Sequence, residues 1–367
     1  MIPRLPALLV LTTLGPTFPP PGADAWDHPD GVAGPGSTPT LATDARPGAR
    51  VERLAYAMGT RVHVVVEAAD SGGASAAAEA ALREIERMDA LLSTWDAASA
   101  IGRVNGAAVG AAERPGPELF GLVAEAVDWA ERTGGAFDPR VGALVDAWDL
   151  RGEGRRPTPE ALRAALRASG AGAFDLDRVA GTVTRLEPAA WLDTGAFGKG
   201  AALRAGGRLL EEAGVHRALV DLGGQLLVVD PRGDAPRMVE VAHPARRDSA
   251  VARVRLSGAS AATTGTSERW VEVDGARLGH VLDPRTGLPV PAWGSVTVVS
   301  PDPLVADVLS TALFVLGPEA GLAWAHDRTG VGVLFLEEGD GGVHARWNPA
   351  MSRWLARAPV GPRPPNP

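Results

Sequence analysis

The sequence has 367 residues, a length that suits one large domain or two small ones, and a formal net charge of −8 from 36 basic and 44 acidic side chains. This acidic balance, without a long basic run, excludes nucleic acid and anionic membrane surfaces as main partners. The absence of cysteine excludes disulfides, thiol catalysis, cysteine-bound zinc and iron–sulfur clusters.

The first 25 residues have the pattern of a signal peptide. Arg4 precedes an apolar stretch from Leu5 to Leu14, and Ala23-Asp24-Ala25 is typical of a cleavage site. The apolar stretch has about half of the ~20 residues that a membrane span requires. We therefore expect an exported protein, periplasmic or extracytoplasmic, with no membrane span after cleavage and no cysteine for a lipid anchor. A disordered leader is the alternative.

Composition divides the remaining chain into three parts. Residues 26–50 are rich in glycine, proline and polar side chains and predict a linker, while residues 359–367 form a proline-rich tail. Residues 51–358 show no composition break and no internal repeat, which predicts a single domain.

Hydrophobic spacing within this domain predicts helices before and after a strand-rich middle. The predicted elements are a strand at 62–66, helices at 76–92, 117–132 and 159–168, a strand pair at 218–229, a hairpin turn at Asp274-Gly275, and helices at 198–213, 303–316 and 319–328. Because this order does not repeat a strand–helix–strand unit, it predicts an α+β fold of mixed sheets and helices.

The segment Asp193–Gly200, with the sequence DTGAFGKG, enters the helix predicted at 198–213. Its three glycines allow backbone N–H groups to turn toward a ligand, and a helix N-terminus carries partial positive charge. The spacing differs from that of the P-loop. Lys199 is the only lysine among 36 basic residues, which favours a phosphate site that needs a compact charge. A helix-capping loop with an exposed lysine is the alternative.

The helix predicted at 303–316 has one polar face. Asp307, Ser310 and Thr311 stand at positions i, i+3 and i+4, so their oxygens share that face. Other solvent faces of this chain are built from arginine and glutamate, and this one has neither. One carboxylate with hydroxyls suits Mg²⁺, which completes its shell with water and phosphate. An ordinary solvent face is the alternative.

His280 ends a predicted strand that runs into a proline–glycine turn. An imidazole titrates near neutral pH, at ~6.5 when unperturbed, and therefore suits a general base. A structural histidine at a strand end is the alternative. The other six histidines have no metal-ligand spacing, so a histidine-bound zinc site is not expected.

Short segments along the chain resemble, in order, the ApbE family of FAD:protein FMN transferases. The resemblance runs from about Leu54 to Leu336, and its segments are Met58–Thr60, Leu91–Trp95, Gly135–Pro139 leading to Trp148, Asp193–Gly200, Leu222–Gly224, Thr263–Gly265, His280–Gly287 and Ala306–Thr311. It implies a single ApbE-like domain with the FAD and Mg²⁺ site in a central cleft. It also implies transfer of FMN from FAD to a threonine hydroxyl, with release of AMP. The acceptor would be a membrane redox-pump subunit or a related extracytoplasmic flavoprotein.

The same resemblance assigns roles by position. Mg²⁺ would be held by the backbone carbonyl of Ala196 and the side chains of Asp307 and Thr311. His280 matches the family's candidate base, and Lys199 would hold the phosphates. Contacts to FAD would come from Met58, Trp95, Ala136, Phe137, Asp138, Asp193, Lys199 and Leu282.

Some positions depart from the family pattern. They are Ser310, where some relatives have a carboxylate, Trp95 and Ser267, where tyrosine is common, and Arg140, where threonine is frequent. We expect a metal site that is poorer in charge and altered stacking on the flavin. Two further functions stay open: a Mg²⁺-dependent FAD pyrophosphohydrolase that gives FMN and AMP, or an exported FAD-binding protein without catalysis.

Overall fold

Strands and helices follow one another irregularly along the part of the chain that the structure, a computed structural model, describes: residues 48–234, 236–265, 270–339 and 342–357. The elements up to residue 212 are β1 (Ala49–Ala57), β2 (Thr60–Ala68), α1 (Ser71–Leu92), α2 (Ala100–Gly106), β3 (Ala112–Glu113), α3 (Pro117–Arg132), α4 (Gly142–Trp148), α5 (Pro159–Arg167), β4 (Phe174–Asp177), β5 (Thr182–Arg185) and α6 (Gly198–Glu212).

The later elements are mostly strands. They are β6 (Arg217–Leu222), β7 (Gln225–Val229), β8 (Arg237–Ala242), β9 (Ala250–Leu256), β10 (Ala259–Gly265), β11 (Trp270–Val273), β12 (Ala276–Gly279), β13 (Leu282–Asp283), β14 (Leu288–Pro289), β15 (Gly294–Ser300), α7 (Pro303–Ala325), β16 (Gly332–Gly339), β17 (Gly342–Trp347), a 3₁₀-helix (Pro349–Arg353) and β18 (Leu355–Arg357). β1 begins inside the range that the sequence assigns to the linker. The predicted signal peptide, most of that linker, the predicted tail and Ser267 lie outside the described residues.

An antiparallel sheet of eight strands organises the fold, in the order β1-β2-β6-β7-β10-β15-β16-β17. Successive side chains of a strand point to opposite faces of a sheet. In β15, accordingly, Val298 belongs to one buried cluster and its neighbour Val299 to another. Both faces of the sheet are therefore covered, and the α+β fold predicted from the order of elements is confirmed.

Helices α1, α6 and α7 pack together over one face of this sheet. α1 begins after Asp70, whose side chain accepts a hydrogen bond from the Gly73 amide, as helix N-caps do. Spacing in the sequence predicts one apolar stripe of Leu82, Ile85, Met88 and Leu92. Ile85, Met88 and Leu92 are buried in the core and Leu82 is partly buried, which confirms it. α6 contacts both α1 and α7, and this packing brings the beginning of α6 to the beginning of α7.

Smaller units cover the other face and one end of the molecule. A three-stranded sheet, in the order β18-β9-β8, packs with the 3₁₀-helix around Val254, Met351 and Trp354. A separate apolar cluster joins α4 and α5 to β13 and contains Trp148 and Leu282. The Trp148 indole donates a hydrogen bond to the Gly287 carbonyl over 2.7 Å, which fixes the turn that follows β13.

α7 is interrupted at Gly317, whose backbone has φ 74° and ψ 173° and which precedes Pro318. The sequence predicts two helices here, and the break between them is confirmed. Among the described helices, α7 alone has the length and apolar composition to cross a membrane, with a mean hydropathy of 1.4 in its most apolar window. Half of that window is buried inside the protein, and α7 contacts β10 and β15, so it serves here as a core helix.

Candidate functional site

The first turns of α6 and α7 touch each other. The Gly200 amide donates a hydrogen bond to Asp307 Oδ2 over 2.8 Å. A Cβ atom at Gly200 would lie 2.6 Å from both the Leu304 Cα and the Pro303 carbonyl oxygen. Only glycine allows this approach, so the predicted phosphate loop (Asp193–Gly200) and the predicted polar face of α7 are in direct contact.

This contact supplies a hydrogen-bond partner at the beginning of α6. Gly200 is the third residue of α6, and the first amides of a helix have no partner inside it. The Gly200 amide donates to Asp307, and the helical ladder begins with the Ala201 amide and the Phe197 carbonyl, 2.9 Å apart. The Ala196 carbonyl therefore lies outside the ladder, four residues before the amide that bonds Asp307, the residue with which the resemblance pairs it as a metal ligand.

The polar face of α7 is not a solvent face. Asp307 and Ser310 are only 4% and 2% exposed, and Thr311 is partly buried. The Ser310 hydroxyl donates to the Asp307 carbonyl over 2.9 Å. It must then accept the hydrogen bond from the Thr264 hydroxyl, 2.8 Å away. Ser310 is thus committed to a hydrogen-bond chain that holds this turn of α7 against β10.

The donor set is chemically suited to Mg²⁺. Within the described residues, no three His, Asp or Glu side chains cluster as metal ligands. The predicted set needs no such cluster, because it combines the Asp307 carboxylate with the Thr311 hydroxyl and the Ala196 carbonyl. Mg²⁺ binds hard oxygens and takes one or two protein carboxylates with water and phosphate. The Asp307 carboxylate with the two neutral oxygens of Thr311 and Ala196 matches this preference of Mg²⁺.

An arginine fixes the N-terminus of α7. Asp302 caps the helix by accepting from the Leu304 amide over 2.9 Å. The Arg204 guanidinium, from α6, bonds the carboxylates of Asp302 and of Glu125 in α3. Burial lowers the pKa of Arg204, but the hydrogen bonds to Glu125 and Asp302 outweigh it and raise that pKa above its ordinary value. Arg204 thus stays charged and holds three helices at the site.

The loop before α6 is tied to its surroundings on two sides. Thr194 Oγ1 donates to the Leu92 carbonyl at the end of α1 over 3.0 Å, and the Asp193 amide donates to the Pro139 carbonyl over 2.7 Å. Met58, a non-glycine residue with φ 52°, lies against Gly198, because its Cε would be 3.1 Å from a Cβ there. Met58 and Lys199 are therefore both at the N-terminus of α6.

The predicted flavin contacts at 136–138 have little side-chain surface to offer. Ala136 and Phe137 are buried in the core. Asp138 forms a buried, two-pronged ion pair with Arg140, with both nitrogen–oxygen distances 2.8 Å. Arg140, which stands where threonine is frequent in the family, thus neutralises the Asp138 carboxylate. Contacts from residues 136–138 to a ligand would therefore come mainly from the backbone.

His280 follows β12 and Leu282 is the first residue of β13, in the segment that leads to Arg285. The Arg285 side chain covers Gly135, with its Cγ 3.3 Å from the position of a Cβ there. Hydrogen bonds to Asp283 raise the pKa of Arg285, and this carboxylate holds the guanidinium in place over 2.8 Å and 2.9 Å. His280 is partly buried and Leu282 is buried in the cluster of α4 and α5.

A cavity of about 480 Å³ opens next to the loop before α6. Its wall includes Trp95, Asn105, Asp146, Arg151, Arg185 and Trp191. Of the predicted site residues only Trp95 lines it, but Arg151 reaches Asp193 Oδ1, 3.4 Å away, so the cavity adjoins the phosphate loop. The sequence analysis did not identify Arg151 or Trp191. Trp191 stands just before the Asp193–Gly200 segment, whereas nothing distinguishes Arg151 from the other arginines.

Comparison with known proteins identifies the family. The model of the ApbE family matches residues 58–335. The FAD:protein FMN transferase of Klebsiella pneumoniae (strain 342) is 33% identical over 296 residues, which cover 77% of this chain and 83% of that protein. The protein of the same name from Salmonella typhimurium is 32% identical over 310 residues, covering 82% and 87%.

Solved structures show the same fold. The apo form of the flavinyl transferase ApbE from Pseudomonas stutzeri superposes with a TM-score of 0.74 at 28% identity, covering 86% of this chain and 100% of that one. The ApbE protein from Thermotoga maritima gives a TM-score of 0.76 at 28% identity, with coverage of 84% and 100%. The chain therefore belongs to the ApbE family and is a transferase.

Proposed function

We propose that the chain transfers FMN from FAD to a threonine hydroxyl of an acceptor flavoprotein and releases AMP. Relatives that it matches over most of their length carry the name FAD:protein FMN transferase. The observation that carries the proposal is the 2.8 Å hydrogen bond between the Gly200 amide and Asp307. This bond joins the N-terminus of α6, which carries Lys199, to the face of α7 that carries the oxygens of Asp307 and Thr311. A diphosphate needs both kinds of group: positive charge for its own oxygens and oxygen ligands for its metal ion.

The reaction breaks one phosphorus–oxygen bond and forms another. The threonine oxygen attacks the phosphorus of the FMN half, the bond to the bridging oxygen breaks, and AMP leaves. Because negative charge builds on phosphate oxygens, the main tasks of the protein are positioning and electrostatic stabilisation. Lys199 and the N-terminus of α6 would hold the phosphates. Ala196, Asp307 and Thr311 would hold Mg²⁺, which when bound neutralises charge on the diphosphate.

His280 is the proposed general base. It would accept the proton of the threonine hydroxyl as the new phosphoester forms, an effect worth about 10²- to 10⁴-fold in rate. His280 precedes the turn that is held against Gly135, through Arg285, and against Trp148, through the Gly287 carbonyl. We infer that it acts on the acceptor hydroxyl and does not contribute to the binding of FAD.

The acceptor is proposed to meet the enzyme outside the cytoplasm. The signal-peptide pattern of residues 1–25 supports export, and an exported enzyme would modify an extracytoplasmic flavoprotein or the exposed part of a membrane redox-pump subunit. The chemistry of the acceptor is defined by an accessible threonine hydroxyl that reaches the phosphorus next to His280.

Co-expression with a threonine-bearing flavoprotein tests the proposal. In-gel fluorescence should reveal covalently attached flavin on the acceptor, and the signal should vanish when the acceptor threonine is replaced by alanine. FAD and Mg²⁺ without acceptor should give little AMP. Rapid release of equal amounts of AMP and FMN without acceptor would instead identify a pyrophosphohydrolase, and tight FAD binding without AMP under any condition would identify a binding protein.

A further inference from the structure

The indole of Trp95 is held by an arginine rather than by burial. Trp95 lies in the turn after α1 and is 75% exposed. The Arg151 Cζ lies 4.6 Å from its ring centroid, a distance at which a guanidinium is attracted to an aromatic face. An indole this exposed has little other packing to fix its orientation.

Arg151 joins three loops through one guanidinium. Its Nη2 donates to Thr94 Oγ1 over 2.6 Å and lies 3.4 Å from Asp193 Oδ1. The arginine itself follows α4, and its side chain is only 26% exposed. The same planar group therefore contacts the residue before Trp95 and the first residue of the phosphate loop.

A second tryptophan, Trp191, also packs against the Arg151 guanidinium. Arg151 Cζ lies 4.1 Å from the centroid of Trp191. The Trp191 indole donates to Asp146 Oδ2 over 2.8 Å. It also lies on the backbone of Gly142, where a Cβ would be 2.2 Å from the Trp191 ring. Trp191 is thus fixed to α4 by its hydrogen bond and its contact with Gly142. Arg151 packs against the Trp191 ring, and the Trp95 ring packs against Arg151.

We propose that Arg151 is a positioning residue that orients the Trp95 indole and the Asp193 carboxylate, and so sets the affinity for a planar ring of the dinucleotide. This inference rests on the proposed function, because it takes FAD as the ligand. Arg151 takes no part in bond breaking. A planar, always-charged guanidinium suits this role, because it can stack on two indoles and donate hydrogen bonds in its own plane at once.

The role predicts a specific pattern of kinetic changes. Arg151→Gln removes the cation and the stack, and we expect FAD binding to weaken about 5- to 30-fold, the range of one cation–π contact and one hydrogen bond. The kcat for AMP release in the presence of the acceptor flavoprotein should change by less than about two-fold, because only uniform binding is lost. Arg151→Lys keeps the charge but not the flat face, so it should recover only part of the affinity.

Calorimetric titration of FAD, with kcat and KM measured on the same preparations, tests the pattern. Arg155→Gln is the matched control, because Arg155 is exposed in the same loop and its guanidinium, among the described residues, bonds only the carbonyls of Ala147 and Asp146. The control should bind FAD as the unmodified chain does. Unchanged affinity in Arg151→Gln, an equal loss in Arg155→Gln, or a fall in kcat at unchanged affinity would each overturn the proposal.

A ligand-free measurement separates this proposal from the proposed function. In protein labelled with 5-fluorotryptophan, the ¹⁹F resonance of Trp95 is assigned by its loss in Trp95→Phe. It should shift in Arg151→Gln and shift less in Arg151→Lys, while a melting curve shows whether each variant is folded. If the unmodified chain binds FAD but never releases AMP, the proposed function fails and the binding data still decide on Arg151. A Trp95 resonance unchanged in both variants overturns the positioning role.

Discussion

Gly200 and Asp307, 107 positions apart in the sequence, are joined by a hydrogen bond of 2.8 Å from the Gly200 amide to Asp307 Oδ2. The bond satisfies one of the amides that a helix N-terminus leaves without an internal partner. Asp307 therefore stabilises the N-terminus of α6 in addition to its proposed role as metal ligand. A substitution affects both roles unless the new side chain can still accept the hydrogen bond from the Gly200 amide.

Two substitutions at Asp307 separate these tasks. Asp307→Asn keeps a side-chain oxygen that accepts from the Gly200 amide but removes the charge, so it should fold normally and lose Mg²⁺-dependent AMP release. Asp307→Ala also leaves the buried amide without an acceptor, which costs about 1–3 kcal/mol. Urea denaturation and an AMP-release assay check both effects. Full activity of Asp307→Asn would contradict the proposed metal site.

Gly200 should not tolerate a methyl group. In Gly200→Ala the new Cβ would meet backbone atoms of Pro303 and Leu304 at 2.6 Å, so α6 and α7 must move apart. We expect a loss of about 1–3 kcal/mol in the free energy of unfolding, as for overpacked cores, together with weaker binding of ADP and Mg²⁺.

The matched control for Gly200 is Gly121→Ala. Gly121 lies on the exposed side of α3, and a Cβ there has no atom within 4 Å. Because alanine has a higher helix propensity than glycine, this variant should gain about 0.5–1 kcal/mol in the free energy of unfolding. Equal stability changes of the same sign in the two variants would show that the α6–α7 contact is not close.

Acid should remove part of the stability of α1. Hydrogen bonds from Arg87 lower the pKa of Glu84 below its usual value of 4.5. The ionised, bonded carboxylate therefore stabilises the fold above the unfolded pKa, and this contribution is lost as the pH falls through the folded pKa. Glu84→Gln should be less stable than the unmodified chain at pH 7, by up to about 1 kcal/mol, and the gap should close in acid.

Thermal melts between pH 3 and 7 measure that gap. Glu86→Gln is the control, because Glu86 is exposed on the same helix and has no hydrogen bond to Arg87 among the described side chains. A gap for Glu84→Gln that does not narrow at all as the pH falls from 7 to 3 would rule out the ion pair with Arg87 as its cause.

Local patterns along the sequence predicted much of the fold. The apolar stripe of α1, the ends of α3 and the break at Gly317 follow from spacing, proline and glycine, which act within a few residues. The three-stranded sheet of β8, β9 and β18 was not predicted, because its pairing joins Leu355 to Val254 and no local signal records that partner.

The site shows the same division. The oxygen face of α7 and the glycines of the phosphate loop are local patterns, so each could be found in the sequence. That Gly200 touches Asp307 and that Arg151 lies between two tryptophans depend on packing across the chain. Arg151 could not be singled out, because arginine supplies every basic side chain except Lys199.

Lys199 can be studied chemically, because it is the only lysine in the sequence. Within the described residues its ammonium makes no ion pair, so Lys199→Met should fold with unchanged stability. Loss of one preorganised donor typically lowers kcat by about 10²- to 10³-fold, and Lys199→Arg should fall between that variant and the unmodified chain. A steady-state assay with equal folded protein measures the series.

Acetylation of Lys199 by an amine-reactive ester, followed by peptide mass spectrometry, reports on phosphate binding without turnover. ADP with Mg²⁺ should slow the modification, because the diphosphate would cover the ammonium. Riboflavin, which has no phosphate, is the control and should protect weakly. Equal protection by riboflavin would place Lys199 against the flavin ring rather than the diphosphate.

His280 should separate binding from chemistry. In His280→Gln the imidazole is replaced by an amide that cannot accept the threonine proton, so flavin transfer should slow by about 10²- to 10⁴-fold. The affinity for FAD should change little, because the proposed base faces the acceptor. Calorimetric titration and in-gel flavin fluorescence measure the two quantities. A variant that transfers flavin normally would remove His280 from the mechanism, whereas one that no longer binds FAD would make it a substrate contact instead of a base.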